Sequence, residues 1–238
     1  MTEWFESWFG TEYLDLYPHR DERDAERVVG LLRGNLPWQD GWRVLDVACG
    51  PGRHISALAQ AGARVFGFDL SRILLTRARS ITARPLVRAD MRALPFRGGS
   101  MDLAVNLFTS FGYFATDAEH DCALGEMLRI VRPGGWFVID FLDAGAVRAG
   151  LVAEEVQQLG GAGVQVRRQI TDQGRFVRKT MVLPGGQQVE ERVRLFTTLE
   201  LREMIERHGA RVVSGFGDYD GAPLGSGARV ILMAQLAP

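Results

Sequence analysis

Cysteine, histidine and net charge are all scarce in this chain, and each scarcity excludes something. Its 238 residues hold two cysteines and four histidines, and its formal net charge is -1. Cys49 and Cys122 cannot build a disulfide framework, and no CxxC or Cys/His cluster composes a zinc site. His54, His120 and His208 have no partners at ligand spacing, so no metal is expected. No apolar run reaches the roughly 18 residues of a membrane span. The opening MTEWFESWFG is acidic and lacks a basic n-region, so it does not read as a signal peptide. A reduced, cytoplasmic protein with no membrane partner is the expectation. With 28 basic against 29 acidic residues, nothing draws the chain globally to a phosphate backbone, which speaks against tRNA, rRNA or DNA as partner.

What is present begins with VLDVACGPGRH, residues 44–54. Val44-Leu45-Asp46-Val47-Ala48 is short, β-branched and nearly all apolar, as a strand buried on both faces of a parallel sheet reads. Gly50-Pro51-Gly52 must then turn sharply, since Gly supplies unusual backbone angles and Pro cannot continue a ladder. Ile55, Leu58, Ala59 and Gly62 follow at helical spacing. The unit is strand, glycine turn, helix.

The alternation continues downstream. Strands are expected at Arg64–Asp69, Pro85–Ala89, Met101–Phe108 and Trp136–Phe141. Ser71 caps one helix, and Leu124, Leu128 and Val131 share a face of another that Pro133-Gly134-Gly135 ends. Upstream, Trp4, Phe5, Trp8 and Phe9 recur at one-turn spacing in a helical arm, and a second helix runs from about Asp21 to Leu32. Strands alternating with helices predict an α/β, doubly wound parallel sheet with Asp46, Asp69, Asp90 and Asn106 along one edge. After about residue 160, GVQVRRQIT, RFVRKTMVL and QVEERVRLF read as an antiparallel three-stranded meander. A helix at Leu199–His208 and strands near Arg211–Gly215 and Arg229–Ala234 follow. The expected division is a helical arm at 1–35, an α/β domain at 36–159 and 198–238, and an inserted meander at 160–197.

A glycine turn and an acid about 20 residues on suit any adenosine ligand, NAD included. Three details decide against NAD. The dinucleotide fingerprint needs a third Gly, and Ile55 stands there. Asp46, ahead of the turn, would repel a pyrophosphate and welcome a cation. Asp90-Met91 offers an acid and a thioether to an adenine amine and face. A ligand with adenosine, an ammonium group and no phosphate fits, and S-adenosylmethionine is that ligand.

VLDVACGPG, VFGFDLS, ADMRALPF, DLAVNLFTSFGYF and VRPGGWFVIDF, in that order over about residues 40–142, resemble the class I S-adenosylmethionine-dependent methyltransferases. The YPHRDERDAE arm and the late β insertion are most similar to glycine N-methyltransferase and the sugar-amine N-methyltransferases. The resemblance implies a Rossmann-like, mainly parallel seven-stranded sheet, with S-adenosylmethionine as cofactor and S-adenosylhomocysteine as product. It implies that Asp46, Ala48, Cys49, Gly50 and Gly52 surround the methionine part, Asp46 near its amino group. Asp69 would hold the ribose hydroxyls, with Leu70 on the adenine and Asp90 and Met91 at its edge and face. Asn106 and Leu107 would close the site, and Tyr17 with Arg20 or Arg23 would bring the arm over the cofactor.

Each position also has a plainer reading. Asp46 could cap the turn, although an acid ending a buried strand is expensive without a partner. Asp69 could serve the next helix, and Met91 could fill core. Cys49 reads as a small buried hydrophobe rather than a nucleophile. Phe108, Phe111, Tyr113 and Phe114 are expected to line an acceptor pocket. The meander's surplus of arginines reads as a solvated face, with an anionic partner as the alternative. The N-P-P-Y or D-P-P-Y stretch of nucleic-acid amino methyltransferases is missing, Asn106-Leu107-Phe108-Thr109 standing there. The expectation is therefore a small-molecule methyl acceptor, methylated on nitrogen and oriented by Tyr17 and Tyr113. An O-methyltransferase, an RNA methyltransferase and a non-catalytic cofactor-binding regulator are the alternatives, and a homo-oligomer is left open.

Overall fold

In the computed structural model, which describes residues 3–17 and 22–238, the buried strands assemble as their composition requires. β1 (Arg43–Val47), β2 (Arg64–Asp69), β3 (Leu86–Arg88), β4 (Met101–Asn106) and β5 (Val131–Leu142) run parallel. β10 (Ala210–Phe216) and β11 (Arg229–Leu236) complete a seven-stranded sheet in the order β10-β11-β5-β4-β1-β2-β3, with β11 antiparallel to both neighbours. The order reverses at β1, between β2 on one side and β4 on the other, so a crevice opens at the carboxyl ends of β1 and β4.

Helices cover both faces. α3 (Glu22–Asn35) and α4 (Arg53–Gln60) bury Val28, Leu32, Ile55 and Leu58 against Val44, Leu103 and Val105. On the other face α6 (Asp117–Arg129) and α8 (Thr198–Arg207) bury Leu124, Met127, Leu201 and Ile205 against Leu45, Ala104 and Phe137. α6 and α8 each open with a capping box, at Thr116/Glu119 and Thr197/Glu200. α5 (Arg72–Arg79) is capped by Ser71, whose hydroxyl accepts from the Leu74 N–H at 3.2 Å.

The insertion departs from expectation by one strand. It is a four-stranded antiparallel sheet of β6 (Glu154–Leu159), β7 (Ala162–Thr171), β8 (Phe176–Val182) and β9 (Gln188–Arg194). β6 is the added strand, and EEVQQL carries no apolar alternation that marks it; its Val156 faces solvent. A short helix, α7 (Ala144–Ala149), precedes it and was likewise not anticipated. Pro133-Gly134-Gly135 does not lie between helix and strand but inside β5. A Cβ on Gly135 would stand 2.9 Å from the Asp102 carbonyl, so only glycine fits beside β4 there.

The arm is two short helices, α1 (Trp4–Trp8) and α2 (Thr11–Leu16), rather than one. It lies in the seam between the two sheets. Phe5 packs with Phe114 on the large sheet's side, while Trp8 and Leu16 pack on Val164, Val166 and Met181 of the small sheet. No described helix is long and apolar enough to cross a membrane.

Candidate active site

At the crevice a cavity of about 910 Å³ opens, walled by the arm, the glycine turn, the ends of β2 and β3 and the segment after β4. Tyr17, Arg23, Ala48, Cys49, Gly50, Asp69, Leu70, Asp90, Met91, Leu107 and Tyr113 all line it. Asp46, Gly52 and Asn106 stand behind that wall, Asp46 being 1% and Asn106 0% exposed. Arg20 lies outside the described residues.

The glycine turn is built from left-handed backbone. Ala48, Gly50 and Gly52 have φ of 57°, 54° and 89°, and Gly52 is the N-cap of α4. A Cβ at Gly50 would meet nothing within 4 Å, so the main chain itself borders the cavity. A Cβ at Gly52 would sit 3.1 Å from Ala78 Cβ, so that glycine lets α4 approach α5.

Asp69 is fixed by two amides: the Gly50 N–H donates to Oδ2 and the Ser71 N–H to Oδ1, each at 2.8 Å. Burial raises its pKa against those bonds. Asp46 is the more strained acid. Its Oδ2 has no hydrogen-bond partner, and burial pushes its pKa up to about 8, against the pull of Arg53 and helped by Asp69. Burial also raises the Cys49 thiol, with Asp46 and Asp69 adding to it, so no thiolate forms here.

At the other end of the cavity Asp90 is gripped by Arg92, whose Nη2 lies 2.6 Å from Oδ2. Burial opposes the charge, but this guanidinium outweighs it and holds Asp90 below the usual carboxylate range. The same guanidinium binds Glu3 and Glu119 at 2.8 Å each, tying the arm to this corner. Ser71 Oγ adds a second tie, donating to the Phe9 carbonyl at 2.5 Å.

The two tyrosine hydroxyls are engaged by the protein. Tyr113 Oη donates to the Thr109 carbonyl at 2.5 Å. Tyr17 Oη donates to Glu191 Oε1 at 3.3 Å and accepts from Lys179 Nζ, both partners on the small sheet. Of the aromatic cluster, Phe108, Tyr113 and Phe114 reach the cavity, but Phe111 is core, packed on Phe196 and His120. Its ring lies edge-on to Phe141 of β5 as well, 6.5 Å between centres. Arg53, His54, Phe5, Phe9 and Tyr13 also line the cavity and were not foreseen as such. For Arg53 and His54 a signal existed, since they are the first residues of the helix after the glycine turn.

The small sheet's arginines are paired with acids: Arg168 with Glu155 at 2.6 Å, Arg192 with Asp172 at 3.1 Å, and Arg194 with Asp117 and Glu200 at 3.2 and 2.7 Å. Their surplus is thereby absorbed within the fold. Among the described residues no group of three His, Cys, Asp or Glu could hold a metal ion.

A doubly wound sheet with acids ending β1 and β2 around a glycine turn defines a class, the enzymes that bind an adenosine cofactor in the crevice. The family described as a methyltransferase domain matches residues 44–135. A dTDP-3-amino-3,4,6-trideoxy-alpha-D-glucopyranose N,N-dimethyltransferase of Streptomyces venezuelae is 30% identical over 173 residues, 65% of this chain and 71% of that protein. A cypemycin N-terminal methyltransferase of a Streptomyces species is 30% identical over 203 residues, 82% of each chain. The structure of CalS10, an amino pentose methyltransferase of Micromonospora echinaspora with S-adenosylmethionine bound, has a TM-score of 0.68 at 25% identity, covering 94% of this chain and 96% of that one. The CcbJ methyltransferase of Streptomyces caelestis shares the fold at a TM-score of 0.80 and 17% identity, covering 98% of this chain and 99% of that one. The chain belongs to the S-adenosylmethionine-dependent methyltransferases.

The site fits that cofactor on its own chemistry. A buried carboxylate oxygen without a partner at Asp46 suits an ammonium group, and bare main chain at Gly50 leaves room for a ligand to lie close.

Proposed function

We propose that the chain transfers the methyl group of S-adenosylmethionine to the nitrogen of a small amine, an amino sugar before other amines. The observation that carries this is the enclosure of the cavity. Phe5, Phe9, Tyr13 and Tyr17 of the arm line it together with Phe108 and Tyr113, the Phe9 and Tyr113 ring centres 5.5 Å apart, in a space suited to a cofactor and one small partner. Amino-sugar methyltransferases among the relatives point to the same acceptor class.

In this reading residues 1–35 are a lid and the antiparallel sheet is a substrate cap braced on it. Asp46 holds the cofactor's ammonium, Asp69 its ribose hydroxyls, Leu70, Asp90 and Met91 its adenine, and Arg23 or Arg20 its carboxylate. Ala48, Cys49, Gly50 and Gly52 shape the turn around its methionine part, and Asn106 and Leu107 close the site. The cofactor supplies the methyl as a sulfonium substituent, and the protein aligns the acceptor with it. A neutral amine needs only to lose a proton, so orientation by Tyr17 and Tyr113 and exclusion of water by the aromatic walls are the chain's main contributions.

The test is transfer of labelled methyl from S-adenosylmethionine to a panel of nucleotide-linked amino sugars, small amines, peptides with free N-termini, hydroxy compounds and purified tRNA. The expected product is an N-methylated amino sugar. Faster methylation of tRNA or of a hydroxyl would overturn the reading, and binding with no transfer to any member would make the chain a regulator.

A further inference from the structure

Directly after β4 the chain does something residues with side chains avoid. Phe108 and Thr109, consecutive and neither of them glycine, both take left-handed backbone, with φ of 57° and 61°. Such backbone is sparsely populated and persists only where its surroundings over-determine it. Here the surroundings converge on Asp140, a β5 residue with 0% exposure.

Asp140 Oδ2 accepts from the Phe108 N–H at 2.8 Å and from Tyr219 Oη at 2.7 Å, while Oδ1 accepts from Arg229 Nε. The Asp140 carbonyl accepts from the Thr109 N–H at 2.9 Å, and Arg229 Nη2 donates to Thr109 Oγ1 at 3.2 Å. Both amides of the strained pair thus end on one residue.

The loop that carries Tyr219 is itself closely packed. It joins β10 to β11, and a Cβ on Gly227 would lie 2.1 Å from the Gly217 carbonyl, so two glycine backbones are pressed together at its neck. Asp218 Oδ1 accepts from the Asp220 and Ala222 N–H groups at 2.9 Å, and Asp220 Oδ2 lies 2.5 Å from Arg27 Nη2 of α3. Tyr219 is therefore delivered to Asp140 from a fixed frame. The strained pair, in turn, borders the cavity: Phe108 lines it, with the Arg53 guanidinium 4.2 Å and that of Arg229 5.2 Å from the ring centre.

We propose that Asp140 is a positioning residue for methyl transfer: its carboxylate, braced by Tyr219 and Arg229, holds the Phe108–Thr109 turn so that Phe108 stands fixed at the cavity wall where the acceptor must lie. Asp140 touches neither cofactor nor acceptor and acts through that turn. Loss of the brace lets the turn relax toward ordinary backbone and swings the ring. Asp69, at the end of β2, and Gly50, in the turn after β1, lie outside this brace and stay in place.

The proposal rests on the amine-methylation reading for its activity readout, and a second readout is independent of it. Wild-type, Tyr219→Phe and Asp140→Asn proteins, each saturated with S-adenosylhomocysteine, are compared by amide hydrogen exchange and by kinetics with the amine that the panel identifies. Exchange at Phe108 and Thr109 should speed about tenfold or more in both variants, with the Asp69 region unchanged. The kcat should fall about 10–100-fold while the KM for S-adenosylmethionine stays within about twofold. A purely structural role would instead lower the melting temperature and weaken cofactor binding along with kcat, which overturns the proposal. Wild-type exchange at the two amides in Tyr219→Phe overturns it as well. If Asp140→Asn does not fold, Tyr219→Phe, which loses one hydroxyl, decides alone. If the wild-type protein methylates no amine, the proposed function fails, and exchange still decides the role of Asp140.

Discussion

The two sheets of this molecule are made by different rules. In the seven-stranded sheet β1 and β4 are buried along nearly their whole length, around the apolar stretches Val44-Leu45 and Leu103-Ala104-Val105. In the four-stranded sheet β7 buries alternate residues, Val164 and Val166 facing the arm and Gln165 and Arg167 facing out. In the first, Asp46, Asp69 and Asp140 are buried at or near the carboxyl ends of their strands. The second wears its charges along its length and cancels them in pairs. The cavity is therefore lined from the large sheet's strand ends and the arm, while the small sheet packs against the arm from behind.

That contrast can be broken at its cores. Phe137 is fully buried in the large sheet and Met181 fully buried under the arm. Phe137→Ala should cost about 3–5 kcal/mol of stability and abolish cofactor binding through unfolding. Met181→Ala should cost nearer about 2 kcal/mol, at the low end for such a site, because the seam can partly collapse. It should speed hydrogen exchange at residues 4–17 while leaving S-adenosylhomocysteine affinity near wild type. Chemical denaturation with calorimetry of the ligand checks both. Equal loss of ligand affinity in the two variants would erase the distinction between a sheet that lines the cavity and one that only backs the arm.

Asp69→Ala sharpens it further. Two amides hold this carboxylate at the cavity, so the variant should weaken S-adenosylhomocysteine by about 1–3 kcal/mol, the loss expected when polar partners go unpaired. Wild-type affinity would remove Asp69 from the cofactor site.

A pH experiment addresses Asp46. With its pKa pushed up to about 8 by burial, the folded protein keeps a proton that the unfolded chain releases above 3.8. Its contribution to stability is therefore fully present below that lower value and is lost as pH rises to about 8. Binding an ammonium beside it must expel the proton, so S-adenosylhomocysteine should bind more tightly from pH 6 toward 8, by up to about tenfold per unit. Titration at pH 7 in buffers of different ionisation heat should show close to one proton released, and Asp46→Asn should abolish the release. A buffer-independent heat in the wild-type protein would place the ammonium elsewhere.

The difference between the sheets also explains what the sequence could tell. Buried parallel strands, a glycine turn and acids at strand ends are local signals, so the strands up to β5 and the cavity residues around Gly50, Asp69 and Met91 were legible. β6 was not, because an edge strand of EEVQQL buries too little to leave a pattern. The grip of Arg92 on Glu3 was not, because it joins residues 89 apart in sequence. Nor was Asp140: within VRPGGWFVIDF it reads as one more strand-ending acid, and only the fold brings Tyr219 and Arg229 to it.

The smallest expected effect tests the charges of the four-stranded sheet. Arg167 and Glu154 are both 71% exposed and 3.2 Å apart, and Arg178 lies 3.4 Å from Glu190 with both about two-fifths exposed. Water screens pairs of this kind, so each is worth about 0–1 kcal/mol. Arg167→Gln and Arg178→Gln together should move the midpoint of unfolding only slightly and leave methyl transfer to a small amine unchanged. Were these arginines instead a landing strip for a polyanion, the double variant would lose affinity for tRNA and flatten its salt dependence. Filter binding of tRNA over a range of salt separates the two. A steep salt dependence that the double variant abolishes would give this sheet a partner of its own and overturn the reading of its charges as a solvated face.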